Sequence, residues 1–186
     1  MAEVSRAGDV NVSSFPGRSP GCGGFIDISQ SARKVVFVGT FSSGGLHVGV
    51  GGGGVGGGGD GSEKGKQPPL LSITSEGRHS KFKVSVGEVT FAGSSAKGRE
   101  IVYVTERAVF RLREEEEGEE DEGEADRVGG HNWNPKRREK KKTVVELCEV
   151  APGIDLEKDV LSKMAFRPAI ARGGVKVMSS RVLEGV

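Results

Sequence analysis

GCGGFIDISQSARKVVFVGTF, Gly21 to Phe41, is the stretch on which the reading of this chain turns. It opens with four small residues after Pro20, where glycines let the backbone adopt positive φ and approach a neighbouring group closely. It closes with Val35 to Val38, a continuous apolar run of β-type residues ending at Gly39. Such a run predicts a strand covered on both faces by other elements.

Outward from this stretch, Val10 and Val12 alternate with polar neighbours as in a strand, and Gly17 to Gly24 is dense in turn formers. Residues 1–48 therefore read as the start of an ordered unit. Order is expected to fail over 49–69, because Gly51 to Gly59 holds eight glycines and one valine and nothing there offsets the entropy of fixing the backbone. Strands resume over 70–112. Leu70 to Thr74 is short; Phe82, Val84 and Val86 alternate with polar residues, extended by Val89 and Phe91; Ile101 to Val104 and Ala108 to Leu112 are two β-rich runs. Over 113–142 the composition splits by charge, with ten acidic residues between Glu114 and Asp126 and six basic ones between Lys136 and Lys142. That stretch reads as a second insert between paired strands, and it brings Leu112 near Thr143 at small cost in loop entropy. The segment 143–170 predicts a last strand and a helix with Asp155 as N-cap, the stripe Leu156, Val160, Leu161 and Met164, and Pro168 as its stop. Residues 171–186 read as a tail.

Composition narrows the partners. A formal net charge of +1 over 186 residues gives no global argument for nucleic acid or an anionic membrane. The basic run Pro135 to Lys142 follows directly on the acidic tract that would neutralise it, so neither a nucleic-acid nor a membrane partner is assigned. No run approaches a membrane span, and Met1 to Ser14 lacks the order of a secretory or transit signal. Cys22 and Cys148 are too few for a zinc cluster or a disulfide framework, and His47, His79 and His131 lack ligand spacing, so no metal is assigned.

Three segments in the same order, GCGGFIDISQSARKVVFVGTF, EIVYVTERAVFRL (Glu100 to Leu112) and EVAPGIDLEKDVLSKMAFRP (Glu149 to Pro168), resemble the C-terminal end of a family I coenzyme A transferase of the single-chain acetate/propionate, 3-oxoacid-like type. The resemblance runs from Gly8 to about Ile170 and is interrupted by the two inserts. It implies an α/β fold, the C-terminal part of the second transferase domain, with a mixed β-sheet, few helices and two low-complexity inserts. It also implies movement of CoA between a short-chain acyl-CoA and a carboxylate through a glutamyl-CoA thioester, with coenzyme A as substrate and no bound cofactor. The nucleophilic glutamate, in an E-x-G-x-x-G setting, is expected upstream of Met1, so no catalytic residue is assigned within the chain, which is expected to be inactive alone.

The family carries G-x-G-G beside that glutamate, which implies an oxyanion and CoA pocket role for Gly21, Gly23 and Gly24; composition alone would make them an ordinary turn. Asn11 and Ser13 match a segment near the same pocket, and a strand end closed by hydrogen bonds accounts for them equally well. Glu106 resembles a structural position that pairs with Arg107. Glu63-Lys64-Gly65 begins like the glutamate motif but has Pro68 where glycine belongs, and is rejected. The implied partners are the acyl-CoA and carboxylate substrates and the remainder of a transferase that assembles as a homo-oligomer, in cytosol or mitochondrion. Two other readings stand: a small subunit completed by a glutamate-bearing partner, and a non-enzymatic binding protein using the charged insert Glu114 to Lys142.

Overall fold

The protein is described by a computed structural model over residues 3–52, 68–116 and 141–184. In chain order these residues form β1 (Glu3–Ser5), β2 (Val10–Asn11), helix α1 (Phe25–Ser31), β3 (Lys34–Val38), β4 (Ser42–Ser43), β5 (His47–Gly52), β6 (Pro69–Ser75), β7 (His79–Ser80) and β8 (Phe82–Lys83). β9 (Glu100–Val104), β10 (Ala108–Glu116), β11 (Lys141–Val150), β12 (Ala169–Ile170) and β13 (Lys176–Val177) follow, with short helical turns between.

The main sheet runs β12-β11-β10-β9-β3, with β13 also on β11. β9, β10 and β11 pair antiparallel, whereas β3 lies parallel to β9 in the register Val36↔Val102 and Phe37↔Tyr103. The sheet is thus mixed and accompanied by few helices, an α/β arrangement. A small sheet of β2, β1 and β8 and the pairs β4–β7 and β5–β6 complete the described strands.

Aromatic side chains build the core. Phe37 stacks on Tyr103 at 5.4 Å and meets Phe91 edge-on at 5.2 Å, while Phe82 lies 4.8 Å from both Phe41 and Phe110. Such pairs contribute about 0.5–1.5 kcal/mol each beyond the area they bury. The Tyr103 hydroxyl donates to the Gly8 carbonyl at 2.6 Å, so the one polar atom of that buried ring is satisfied.

Several sequence expectations change. The strand predicted from Phe82 to Val86 and onward to Phe91 stops at Lys83, because its partner β1 is only three residues long; Val84 and Val89 are exposed, and Phe91 reaches the core through an isolated bridge to Val10. The glycine-rich insert expected over 49–69 is entered and left by paired backbone, since β5 and β6 match from His47↔Ser75 to Gly52↔Pro69. Likewise β10 and β11 pair as far as Glu116↔Lys141, beyond the limits 113 and 142; Leu112 faces Val145 and Thr143 faces Glu114. The cores of both inserts, with Glu63-Lys64-Gly65, His131 and Trp133, lie outside the described residues.

The helix predicted after Asp155 is not regular. Asp155 does cap, accepting from Lys158 N at 2.7 Å, but Leu156–Val160 is a π turn and Leu161–Lys163 a 3₁₀ turn. The cause is visible at Asp159, whose carbonyl is taken by Arg107 Nη1 at 2.9 Å. The stripe still packs inward, with Val160 fully buried. Nor is 171–186 merely a tail, since β13 and the turn Ser180–Leu183 bury Leu183 against Leu71 and Ala151. The helix α1 had no counterpart in the sequence reading: seven residues starting directly after the glycines are too short to show a helical period.

Candidate functional site

In sheets with parallel strands, ligands sit outside the carboxyl ends of those strands. β3 and β9 share one such end. Helix α1 runs back along β3 and is fixed at both termini. At its start the Phe25 ring stacks on Phe37 at 5.8 Å; at its finish Arg99 Nη1 donates to the carbonyls of Ser29 (2.6 Å) and Gln30 (2.9 Å), next to the amino end of β9. The residues just before Phe25 therefore lie at the carboxyl end of β3. Those residues are Gly21 to Gly24.

Gly21 and Gly23 take φ of 77° and 51°, and Gly24 takes −78° as it leads into the helix. A Cβ at Gly21 or Gly23 would meet nothing within 4 Å, so glycine is required there by the dihedral and not by packing. The Phe25 amide is spent on the Cys22 carbonyl at 3.0 Å. The amides of Gly21, Gly23 and Gly24 make no backbone hydrogen bond among the described residues. The turn is thus a short exposed run of backbone donors held by the aromatic anchor behind it.

Asn11 and Ser13 lie elsewhere on the framework of this region. Asn11 is buried and fully used: Nδ2 donates to Glu3 Oε2 (3.0 Å) and the Ser14 carbonyl (2.6 Å), and Oδ1 accepts from the Ser13 and Ser14 amides at 3.1 Å each. Ser13 Oγ lies 2.9 Å from Thr90 Oγ1, and Thr90 adjoins Phe91, which touches Phe37. Both residues shape the loop, and Asn11 has no hydrogen-bonding capacity left for a ligand.

Below the strand exit stands a cluster that sequence reading found only in part. The Arg107 side chain is fully buried and uses its whole fork: Nε to Glu106 Oε1 (2.7 Å), Nη1 to Glu76 Oε2 (2.8 Å) and to the Asp159 carbonyl, Nη2 to Glu76 Oε1 (3.1 Å). Its guanidinium also lies 4.6 Å over the Phe41 ring. Glu106 Oε2 accepts from the Phe41 amide at 2.8 Å, so both carboxylate oxygens serve the framework. Glu76 also accepts from Ser42 Oγ. Burial pushes the Glu76 carboxyl up, but the hydrogen bonds from Arg107 and Ser42, the Arg107 charge and the Gly77 amide outweigh it and hold the group below the usual carboxylate range. Lys81 Nζ donates to Thr40 Oγ1 at 2.8 Å, and burial lowers its ammonium despite the opposing Glu106 charge. The Glu106–Arg107 pair is visible in sequence because the two are adjacent. Glu76 was missed: it lies 31 residues from Arg107 and no local pattern links them.

Among the described residues, no group of three or more His, Cys, Asp or Glu side chains is gathered for a metal ion, and no helix is long and apolar enough to cross a membrane.

No protein-family model matches the chain. Among individual proteins, it is 36% identical over 184 residues to acetate CoA-transferase YdiF of Escherichia coli O157:H7, covering 98% of this chain and 26% of that protein. To caffeate CoA-transferase of Acetobacterium woodii it is 38% identical over 178 residues, 92% of this chain and 25% of that one. Among solved structures, the acyl-CoA transferase YdiF apoenzyme from E. coli O157:H7 superposes over all of this chain and 28% of its own, with TM-score 0.72 and 34% identity. The crystal structure of its thioester complex with CoA gives TM-score 0.71 over the same share. The chain thus spans about a quarter of the length of the relatives it matches.

Proposed function

We propose that the chain belongs with the family I coenzyme A transferases, over the quarter of their length that it spans, and that it supplies the oxyanion-binding turn and supporting sheet of an enzyme that moves CoA between a short-chain acyl-CoA and a carboxylate. In the ping-pong sequence this implies, a glutamate carboxylate outside the chain attacks the thioester carbonyl and expels CoA thiolate, leaving an acyl-glutamyl anhydride. The thiolate attacks the glutamyl carbonyl, releases the first carboxylate and forms a glutamyl-CoA thioester. An acceptor carboxylate then attacks that thioester and expels the thiolate again, which attacks the acyl carbonyl of the new anhydride to give the product thioester and free glutamate. Each attack places negative charge on a carbonyl oxygen, and backbone donors that already point at that oxygen stabilise it without reorganising.

One observation carries the reading: the Gly21, Gly23 and Gly24 amides stand without backbone partners in an exposed turn at the carboxyl end of the parallel pair β3–β9. Cys22 contributes a carbonyl that pins Phe25 rather than a thiol. The substrates are an acyl-CoA and a carboxylate, the partner is the remainder of the transferase, homo-oligomeric when complete, and no metal or bound cofactor takes part.

The test is CoA transfer from acetyl-CoA to propionate by the assembled transferase carrying Gly23→Val. Valine keeps the backbone N–H but is disfavoured at a φ of 51°, so it swings that donor out of place, and an oxyanion donor lost in this way reduces kcat by about 10²–10³. The expected result is a fall of that order with KM changed little. An unaltered kcat, or a fall confined to KM, would remove Gly23 from the oxyanion site.

A further inference from the structure

Helix α1 has little of its own to hold it in place. Seven residues make about two turns, a length at which an isolated helix does not persist in water. Its N-cap, Gly24, has no side chain to bond the first amides, and its last turn carries no basic residue to answer the free carbonyls. The Gly21–Gly24 turn nevertheless takes its position from this helix. Phe25 N donates to the Cys22 carbonyl at 3.0 Å and Ile28 N to the Gly24 carbonyl at 3.1 Å, so a slide or rotation of α1 carries the turn with it.

Arg99, from the segment just before β9, supplies what α1 lacks. Nη1 spreads its two N–H groups over the carbonyls of Ser29, Gln30 and Ala32, the last at 3.3 Å, and closes the carboxyl end of the helix with donors and positive charge. The arginine is itself held in a fixed frame. Its amide donates to the Ala96 carbonyl at 3.0 Å, the next amide, Glu100 N, donates to Arg33 O at 3.0 Å, and its guanidinium lies 5.6 Å over the Phe91 ring. Phe91 meets Phe37, and Phe37 stacks on Phe25 at the other end of α1. Both ends of the helix are thus referred to the same series of rings.

We propose that Arg99 is a positioning residue for the Gly21–Gly24 turn: by holding the carboxyl end of α1 beside the start of β9 it fixes the helix along its axis, and with it the amides of the turn. Stacked rings keep most of their contact as one slides over the other, whereas hydrogen bonds weaken steeply with misalignment. Phe25 on Phe37 therefore keeps α1 on the sheet, and Arg99 sets where along the sheet it stops. Arg99 acts only through the helix, and the inference rests on the proposed function for what the turn does.

The test places Arg99→Met, Arg99→Gln and Arg99→Lys in the 186-residue chain and in the assembled transferase. In the chain alone, hydrogen exchange is read at Ile28 and Ala32, whose amides bond within α1, against Thr105 and Ala151, whose amides bond to the carbonyls of Ala108 and Arg107. Arg99→Met speeds exchange at Ile28 and Ala32 by about tenfold and leaves the two reference amides unchanged. In the transferase it lowers kcat for CoA transfer from acetyl-CoA to propionate by about 10- to 100-fold, the order of effect of a small misplacement, with KM moved less than about twofold. Arg99→Lys recovers most of both, because one ammonium offers three N–H groups to the three carbonyls, and Arg99→Gln, with a neutral donor, lies between. The inference is overturned if exchange at Ile28 and Ala32 stays at the parent rate, if the reference amides speed up equally, if the loss falls on KM and not kcat, or if Arg99→Lys is as impaired as Arg99→Met. An unchanged kcat in Arg99→Met overturns it where Gly23→Val is impaired. Where Gly23→Val also turns over normally, the proposed function falls, and the hold of Arg99 on the turn stands or falls by exchange alone.

Discussion

Arg107 and the Gly21–Gly24 turn both serve the carboxyl end of β3, yet they are held by opposite means. Arg107 is fixed by contacts, with four hydrogen bonds shared among two carboxylates and a carbonyl and an aromatic ring against its face. The turn is fixed by dihedrals, with open space where side chains would be and a single ring, Phe25 on Phe37, anchoring it. Stability is therefore concentrated under the strand exit and chemical accessibility above it. The two are separable by mutation.

The largest effect is expected at Arg107. Arg107→Ala leaves the Glu76 and Glu106 carboxylates without their buried guanidinium, a loss of about 3–5 kcal/mol that urea unfolding would read directly. Arg107→Lys is expected to recover only part of this, because an ammonium cannot reproduce the fork that binds Glu76 through two nitrogens. A cost below 1 kcal/mol for Arg107→Ala would break the contrast, since the clamp would then be no firmer than a surface pair. The same clamp sets a pH dependence. The folded Glu76 carboxyl is held below its unfolded value, so its contribution is fully present above the unfolded value of about 4.3 and is lost as pH falls through the lower folded one. Denaturant midpoints taken down through the acid range should fall faster for the parent than for Glu76→Gln.

A smaller loss is expected at Tyr103. Tyr103→Phe keeps the ring stacked on Phe37 but leaves the Gly8 carbonyl without its buried donor, at a cost of about 1–3 kcal/mol in thermal or urea melts. Burial and the Asp9 charge push this hydroxyl far above the ordinary phenol, so it remains a donor throughout the accessible pH range. An acid-to-alkaline titration of Tyr103 below pH 11 or so would contradict that placement.

What could be read in advance follows the same division. The strands β9 and β10 were legible because Ile101 to Val104 and Ala108 to Leu112 are β-type runs, while the turn between them at Thr105 to Arg107, which the sequence left open, is settled by their antiparallel pairing. Val35 to Val38 was legible as a strand but not as one covered on both faces, since Val36 and Val38 are 46% and 65% exposed. Glu76 was not legible, because an ion pair across 31 residues has no local signature. The regular helix after Asp155 was over-read, since its cap and stripe are both real and the broken ladder comes from Arg107 drawing away the Asp159 carbonyl. The glycine turn was readable only through family resemblance. Its residues are those of any turn, and what sets it apart is the Phe25–Phe37 contact that puts it at a strand end.

Gly23 sharpens the comparison from the other side. With φ at 51° and nothing near its Cβ, Gly23→Ala is expected to destabilise the chain by only about 1 kcal/mol, the penalty of left-handed backbone for an L residue. Gly23→Asn should cost less still, because asparagine tolerates this region. If both variants melt near the parent while Gly23→Val in the assembled transferase loses its rate, the turn is chemical and not structural. A melt lowered by as much as Arg107→Ala would show instead that the turn carries part of the fold.

The smallest effect is expected at Lys34, where β3 meets β9. Lys34 Nζ lies 2.9 Å from Glu100 Oε1, a good distance, but the two side chains are 58% and 48% exposed. Exposed pairs of this kind contribute about 0–1 kcal/mol and are weakened by salt. Lys34→Met should therefore shift the urea midpoint of the chain alone little, and less at high ionic strength. Lys34 also supplies the only charge within β3, so the same substitution leaves the strand without its one gatekeeper against pairing. A loss above about 1 kcal/mol that salt leaves unchanged would show the pair held more firmly than its exposure allows.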